Sequence, residues 1–177
     1  MSKEVIASLK PYYYYLVGEG IKKIEVRKSE PKADDWNRET YFYMSKDEKS
    51  FAKIPKEYQD KYRKHFGKVG LKFICDRIHE WTYNSEVGEY NNSNITFLLT
   101  QLSYMEFENY GKRKDLYGWH ISDLKIYDKP KELSEFRKWC HGICSNCLAN
   151  VYWGGNCDGG AIEKAPQSWR YCEELER

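Results

Sequence analysis

Three charged side chains in the stretch GEGIKKIEVRK, Gly18 to Lys28, set the chemistry that this chain offers first: Lys22, Glu25 and Arg27. Lys22 and Arg27 supply cationic donors for a phosphate or a carbonyl, and Glu25 supplies a carboxylate that accepts from a base amino group. A crowded or buried lysine is also tuned toward neutrality, which makes it a base or a nucleophile. Ile24 and Val26 alternate with Lys23, Glu25 and Arg27 at the period of an extended chain. That alternation predicts a short strand with Ile24 and Val26 in the core and Glu25 and Arg27 facing outward. Spacing alone favours a solvated face, where a Glu–Arg pair is worth ~0–1 kcal/mol.

The second candidate cluster is made of thiols. Cys140, Cys144, Cys147 and Cys157 follow a C-x3-C-x2-C-x9-C spacing. Disulfides are rare in cytosolic chains, and four thiolates this close in sequence suit a tetrahedral metal site, with zinc as the first candidate. His141 is a candidate replacement for one thiolate, and an iron–sulfur cluster uses the same ligands. Four protein ligands leave no coordination position for water, so such a metal would be structural. Cys75 and Cys172 stand apart in strand-like contexts and read as core.

The elements that would position these groups are short. Pro11, the recurring Tyr12, Tyr15 and Leu16, and the closing Gly18 and Gly20 predict a helix that runs directly into the charged strand. Residues 41 to 46, YFYMSK, read as a strand. Pro55, the apolar face of Tyr58, Tyr62 and Phe66, and Gly67 predict a second helix. Val69, Leu71, Phe73 and Cys75 alternate as in a half-buried strand. Residues 84 to 94 form a polar loop. Ser103 and Glu106 have capping-box spacing ahead of a short helix that ends at Gly111. YGWHISDLKIYD reads as one strand, DKPKELSEFRKW as a helix with Pro130 near its start, and PQSWRYCEEL as the last strand. Strands without regular helical crossovers predict an α+β chain with a mainly antiparallel sheet or small barrel. His120 and Ser122 fall on one face of their strand, with Trp119 and Ile121 on the other.

Gly20, Lys22, Glu25 and Arg27 together form a G-x-K-x-x-E-x-R pattern, and this run resembles the signature of ASCH domains. SLKPYYYYLVGEG, which precedes it, resembles the family's strand, Lys-Pro step and short helix. HFGKVGLKFICDRI, YGWHISDLKIYDKPKELSEF and PQSWRYCEEL resemble segments of small ASCH-like proteins of firmicutes and their phages. The resemblance spans residues 5 to 139 and 165 to 175. It implies a PUA-like small β-barrel with short packed helices, and a cleft that binds RNA or a modified nucleotide. Lys22, Glu25 and Arg27 would line that cleft, with Tyr43, Lys46, His120, Ser122 and Trp169 as further wall residues. Some ASCH-like proteins are amidohydrolases that deacetylate acetylated cytidine with a Lys, a Thr and a distal Glu. Lys22 matches that Lys, but Glu25 stands where the Thr belongs, so the catalytic set does not carry over whole. Others are linked to RNA cleavage, for which Lys22 with His120 or Tyr43 would be the acid–base pair.

Composition narrows the choice of partner. The 177 residues suit one domain, residues 1–177, with a Cys-rich metal-binding insertion at 140–160. A 16% aromatic share, with 16 Tyr and 6 Trp, belongs to a folded chain, and Tyr12 to Tyr15 and Trp169 offer faces for base stacking. No apolar run approaches a membrane span and the N-terminus has no secretory core, so the expected compartment is the cytoplasm. Lys plus Arg exceed Asp plus Glu by only 29 to 27, which excludes a general basic coat and leaves a local patch as the means of contacting nucleic acid. The alternative readings are an enzyme on an acylated nucleoside or on RNA, and a phage-encoded adaptor that contacts a protein partner through residues 84 to 94 and the Cys-rich insertion.

Overall fold

A computed structural model describes residues 3–31, 37–91, 94–139 and 160–175. The chain opens with β1 (Glu4–Leu9), and Pro11 then starts α1 (Pro11–Gly18). Lys10, extended as a residue before proline must be, forms the N-cap. Gly20 takes a φ of 69°, a left-handed conformation that glycine adopts without a Cβ clash. Ile21 and Lys22 both donate their amides to Leu16 O there, so the helix end delivers Lys22 directly to β2 (Ile24–Arg27).

After β3 (Arg38–Met44), the short helices α2 (Glu48–Phe51) and α3 (Lys56–Arg63) lead to β4 (Val69–Cys75). β5 (Ile78–Trp81), the two-residue strands β6 (Tyr83–Asn84) and β7 (Glu89–Tyr90), and α4 (Asn94–Leu98) follow. The polar loop expected from residue 84 therefore holds a small hairpin. α5 (Tyr104–Gly111) begins with the capping box read from the sequence: Ser103 Oγ accepts from Glu106 N, and the Glu106 carboxylate accepts from Ser103 N.

The single strand expected over YGWHISDLKIYD is two, β8 (Leu116–His120) and β9 (Ser122–Lys131), divided at Ile121. The helix expected over DKPKELSEFRKW does not form. β9 runs through Pro130, a 3-10 turn covers Leu133–Glu135, and β10 (Phe136–Lys138) is extended. β9 is an edge strand, where a missing proline N–H need not break a ladder bond. Phe136 is fully buried, with its ring 4.9 Å from that of Tyr41, so tertiary burial overrides the helical spacing. β11 (Trp169–Glu174) is the last strand.

The strands form a six-stranded sheet in the order β10-β11-β1-β3-β4-β9 and a three-stranded sheet in the order β2-β8-β5. The β1–β3 pair is parallel, and the other pairs in these two sheets are antiparallel. Two trajectories join the sheets. β4 continues into β5 across Asp76 and Arg77, β9 continues from β8 across Ile121, and His120 N donates to Arg77 O at the bend. The architecture is α+β, but the barrel expected from the sequence is not closed. β1 already has β11 on one edge and β3 on the other, so it has no edge left for β2.

The six-stranded sheet is apolar on both faces. Val5, Ala7, Phe42, Leu71 and Phe73 meet Trp119 and α1 on one side, and Ile6, Tyr41, Val69, Phe136 and Cys172 pack on the other. A third cluster, Ile24, Val26, Trp81, Phe107 and Leu116, lies between the three-stranded sheet and α5. This cluster corrects the expected facing of β2. Ile24 and Val26 serve the cover under α5, whereas Glu25 shares its side with its register partner Trp119, toward the space between the sheets.

Candidate functional site

The unclosed seam between β2 and the β1/β11 pair is a cleft of about 1000 Å³. Lys22, Glu25 and Arg27 line it, and despite their charge they are 2%, 6% and 5% exposed. Burying charge is tolerable only where it is paired and hydrogen-bonded. Glu25 receives both cations: its Oε2 lies 3.4 Å from Lys22 Nζ, and its Oε1 lies 3.1 Å from Arg27 Nη2. Lys22 Nζ also donates to Thr100 O at 2.5 Å. Arg27 crosses the seam, donating from Nη2 to Ser8 O at 2.7 Å and from Nη1 to Ser168 O at 3.3 Å. Its guanidinium therefore ties β2 to β1 and to the segment before β11, where no strand ladder does.

Two buried polar atoms of residues that line this cleft, themselves closed off from it, are unsatisfied among the described residues: Arg27 Nε and Ser45 Oγ. A buried donor without an acceptor costs ~1–3 kcal/mol, more when charged. Burial pulls the Lys22 ammonium below the usual lysine range, and Glu25 opposes that pull. α5 forms one wall through Glu106, Asn109 and Tyr110, and Tyr13 of α1 stands opposite. The Tyr13 hydroxyl donates to Glu106 Oε1 at 3.2 Å, and burial followed by the Glu106 charge pushes this phenol up to about 12. Ser103 holds the Glu106 carboxyl below its ordinary range through its amide and hydroxyl. Lys22 Nζ lies 5.5 Å from the Tyr13 ring centre, and Lys28 Nζ lies 5.0 Å from that of Tyr110.

The other residues singled out in the sequence are dispersed. Trp169 stands at the rim, donating from Nε1 to Ser29 Oγ, a cleft residue, with its ring 5.9 Å from that of Trp119. Tyr43 packs with Ile6 and Val69 in the core on the far face of the six-stranded sheet. Lys46 is exposed, and its stem lies against Gly67. His120 and Ser122 sit at the bend between the sheets, with His120 Nδ1 2.6 Å from Asp76 Oδ1 and Ser122 Oγ donating to Ile74 O. Neither His120 nor Tyr43 lines the cleft with Lys22.

Cys140, Cys144, Cys147 and Cys157 lie outside the described residues. Among the described residues no group of three or more His, Cys, Asp or Glu side chains could hold a metal ion. Cys172 is buried in the core as expected, whereas Cys75 is only partly buried against its edge, where burial pushes its thiol up to about 12. Ser45, Asn109 and Tyr110 escaped the sequence reading because no spacing signal links them to β2. Glu106 was visible as a helix cap, but not as a cleft wall.

No family model matches the sequence, and no curated protein matches it. Solved structures do match. A Tyr-to-Phe mutant of the ASCH protein of Zymomonas mobilis aligns with a TM-score of 0.53 at 15% identity, over 96% of this chain and 89% of that one. A Ser-to-Ala mutant of the same protein aligns at 0.55 and 15% identity, over 96% and 87%. A third structure of the Z. mobilis ASCH protein aligns at 0.50 and 15% identity, over 98% and 99%. The fold is that of an ASCH protein. The α+β class expected from the sequence holds at that level, and the matches carry no sign of a firmicute or phage origin. Among the described residues no helix is long and apolar enough to cross a membrane.

Proposed function

We propose that this chain binds RNA or a modified nucleotide in the cleft between β2, α1 and α5. The observation that supports this reading is the buried row of Lys22, Glu25 and Arg27 along a space of about 1000 Å³, at the upper end of the size of small-ligand sites. Four cations line the space, Lys10, Lys22, Arg27 and Lys28, against two carboxylates, Glu25 and Glu106. An anionic ligand balances that surplus. Glu25 would take a base amino group, and Tyr13 or Tyr110 would stack on the base. The test is isothermal titration of nucleotides and short single-stranded RNAs into the wild type and Glu25→Gln, with melting temperatures checked in parallel. Loss of at least tenfold in affinity by a folded Glu25→Gln, on the order of one charged hydrogen bond, supports the reading; unchanged affinity overturns it.

A second reading, hydrolysis of an acylated nucleoside or of RNA, is favoured by Lys22. An amine buried this completely and pulled toward neutrality is what a lysine base or nucleophile requires. Turnover of acetylated cytidine or RNA, followed by mass spectrometry and abolished in a folded Lys22→Met, would establish that activity. Binding without turnover would leave the cleft as a reader's site. We also propose that Cys140, Cys144, Cys147 and Cys157 hold a structural zinc, on their spacing alone.

A further inference from the structure

We infer that Tyr13 and Glu106 form a latch over the charged row, and that the first turn of α5 swings away from α1 to admit a ligand. The latch governs access to the site, and rests on the reading of the cleft as a nucleotide's binding site.

The row as it stands is shut. The side chains of Lys22, Glu25 and Arg27 are only 2%, 8% and 6% exposed, although all three residues line the cleft. A ligand that pairs with them must first reach them. Over the Lys22 end, α1 and α5 are bridged by the Tyr13 hydroxyl, which donates to Glu106 Oε1 at 3.2 Å. The Tyr13 ring lies 5.5 Å from Lys22 Nζ, and the Glu106 charge acts on the same ammonium. The bridge itself is exposed to solvent, so water satisfies both partners when it breaks, and breaking it costs little.

α5 is built to move at that end. Gln101, just ahead of it, holds a φ of 57°, a strained left-handed conformation for a residue with a Cβ. Up to that point the chain is tied to β2 and its approach: Leu99 O accepts from Lys23 N and Ile24 N, and Thr100 O accepts from Lys22 Nζ. Beyond it, the buried residues of α5 are Phe107 and Gly111. The Phe107 ring lies 5.2, 5.1 and 5.3 Å from those of Trp81, Tyr90 and Phe97, and the Tyr90 hydroxyl fills the space that a Cβ on Gly111 would take. The helix is thus anchored from its middle to its C-terminus. Between the left-handed Gln101 and the Phe107 anchor, Tyr104 and Met105 are 44% and 71% exposed, so little packing opposes an outward swing of this turn. The capping box joins Ser103 to Glu106 within the turn and carries Glu106 with it.

The experiment labels lysines with trace acetic anhydride in the wild type, Tyr13→Phe, Glu106→Ala and the double variant, and reads each site by peptide mass spectrometry. Exposed Lys46 is the internal reference, and Lys72, paired with Glu39 on the six-stranded sheet, reports general loosening. Tyr13→Phe keeps the ring and removes the bridge. It is expected to speed acetylation of Lys22 about fivefold, the population shift that one such hydrogen bond implies, without a matching rise at Lys72. The double variant is expected to label Lys22 no faster than Glu106→Ala, because both changes remove the same bond. Lys22 labelling that stays at the wild-type rate in Tyr13→Phe, that rises only in step with Lys72, or that multiplies in the double variant overturns the latch. Tyr13→Phe decides alone if Glu106→Ala does not fold. No nucleotide enters this measurement, so a failed latch leaves the nucleotide reading standing. A working latch on a protein that binds no nucleotide or RNA in titration keeps the moving turn and overturns that reading alone.

Discussion

At the residue scale, burial does most to turn ordinary side chains into unusual ones. His65 is 1% exposed, with its Nδ1 3.0 Å from the Tyr14 hydroxyl, and any Cβ at Gly70 would collide with that nitrogen. Desolvation, reinforced by Lys64 and Lys61, pushes its imidazole down to about 4. The folded state therefore holds His65 neutral at a pH where the unfolded chain, with an ordinary value of ~6.5, binds a proton. The stability this contributes is present above pH 6.5 and is lost as pH falls toward 4. Glu4 opposes it: burial and a hydrogen bond with Glu39 raise its carboxyl to about 7, so its contribution is lost as pH rises through that value. The difference between wild type and His65→Gln isolates the histidine. Unfolding free energies from denaturant titration are expected to converge by on the order of 1–2 kcal/mol between pH 7 and pH 4, after solvent screening. Parallel pH profiles would remove the neutral-histidine account.

Lys22, Glu25 and Arg27 were legible in the sequence as types and as spacing. Their burial was not, because what covers them comes from α5 and residues 165 to 168, far along the chain. A period-two pattern tells which residues share a face, but not which face is wet. Here both faces of β2 are covered, so the inference from charge to solvent failed.

At the element scale, α5 both closes the cleft and depends on its own cap. Its first turn is held by the reciprocal Ser103–Glu106 pair, and the same Glu106 carboxylate receives the Tyr13 hydroxyl across the cleft. Ser103→Ala removes the cap acceptor and frees Glu106 to reorient. The expected cost is about 1 kcal/mol of stability, with a fall of several-fold in nucleotide affinity as the wall loosens. Ser122→Ala serves as the comparison, since it breaks a side-chain bond to Ile74 O at the bend, outside the cleft. If both variants reduce affinity equally, the effect is global and α5 has no special role. Caps, prolines and alternation made most helices and strands readable, and the capping box fell where the sequence placed it. The misread helix near Pro130 shows the limit: a helical spacing of apolar residues cannot report that Phe136 will be buried beneath Tyr41 as a strand.

At the scale of the whole molecule, two trajectories bend from one sheet into the other and a third boundary stays open, bridged by Arg27 rather than by a ladder. Function and stability meet in that side chain, so substitutions of Arg27 require a melting control. The proposed zinc is a separate whole-molecule question. Metal analysis of the purified chain is expected to find about one zinc per chain, lost together with part of the thermal stability when Cys144 and Cys147 are both changed to Ser. Wild type that carries no zinc as purified, and melts no higher than the double variant, would reject it.

Charge balance makes the most discriminating demand on the nucleic-acid reading. With 29 basic against 27 acidic side chains, the molecule has no long-range field to hold a strand, and affinity must come from the cleft. About 1000 Å³ accommodates one or two nucleotides, and one or two phosphates would then meet Arg27, Lys10 and Lys28. Each phosphate neutralised on a single strand contributes about −0.7 to the slope of log affinity against log salt. The expected slope is therefore about −0.7 to −1.4, with no gain in affinity for RNAs longer than roughly two or three nucleotides, as the cavity volume implies. Anisotropy titrations of labelled RNAs of increasing length, between 50 and 200 mM salt, read both quantities at once. A slope of about −4 or steeper, or affinity that keeps growing with length, would place most of the binding on a track outside the cleft. The row of Lys22, Glu25 and Arg27 would then be the structural tie across an open seam and not the site of recognition.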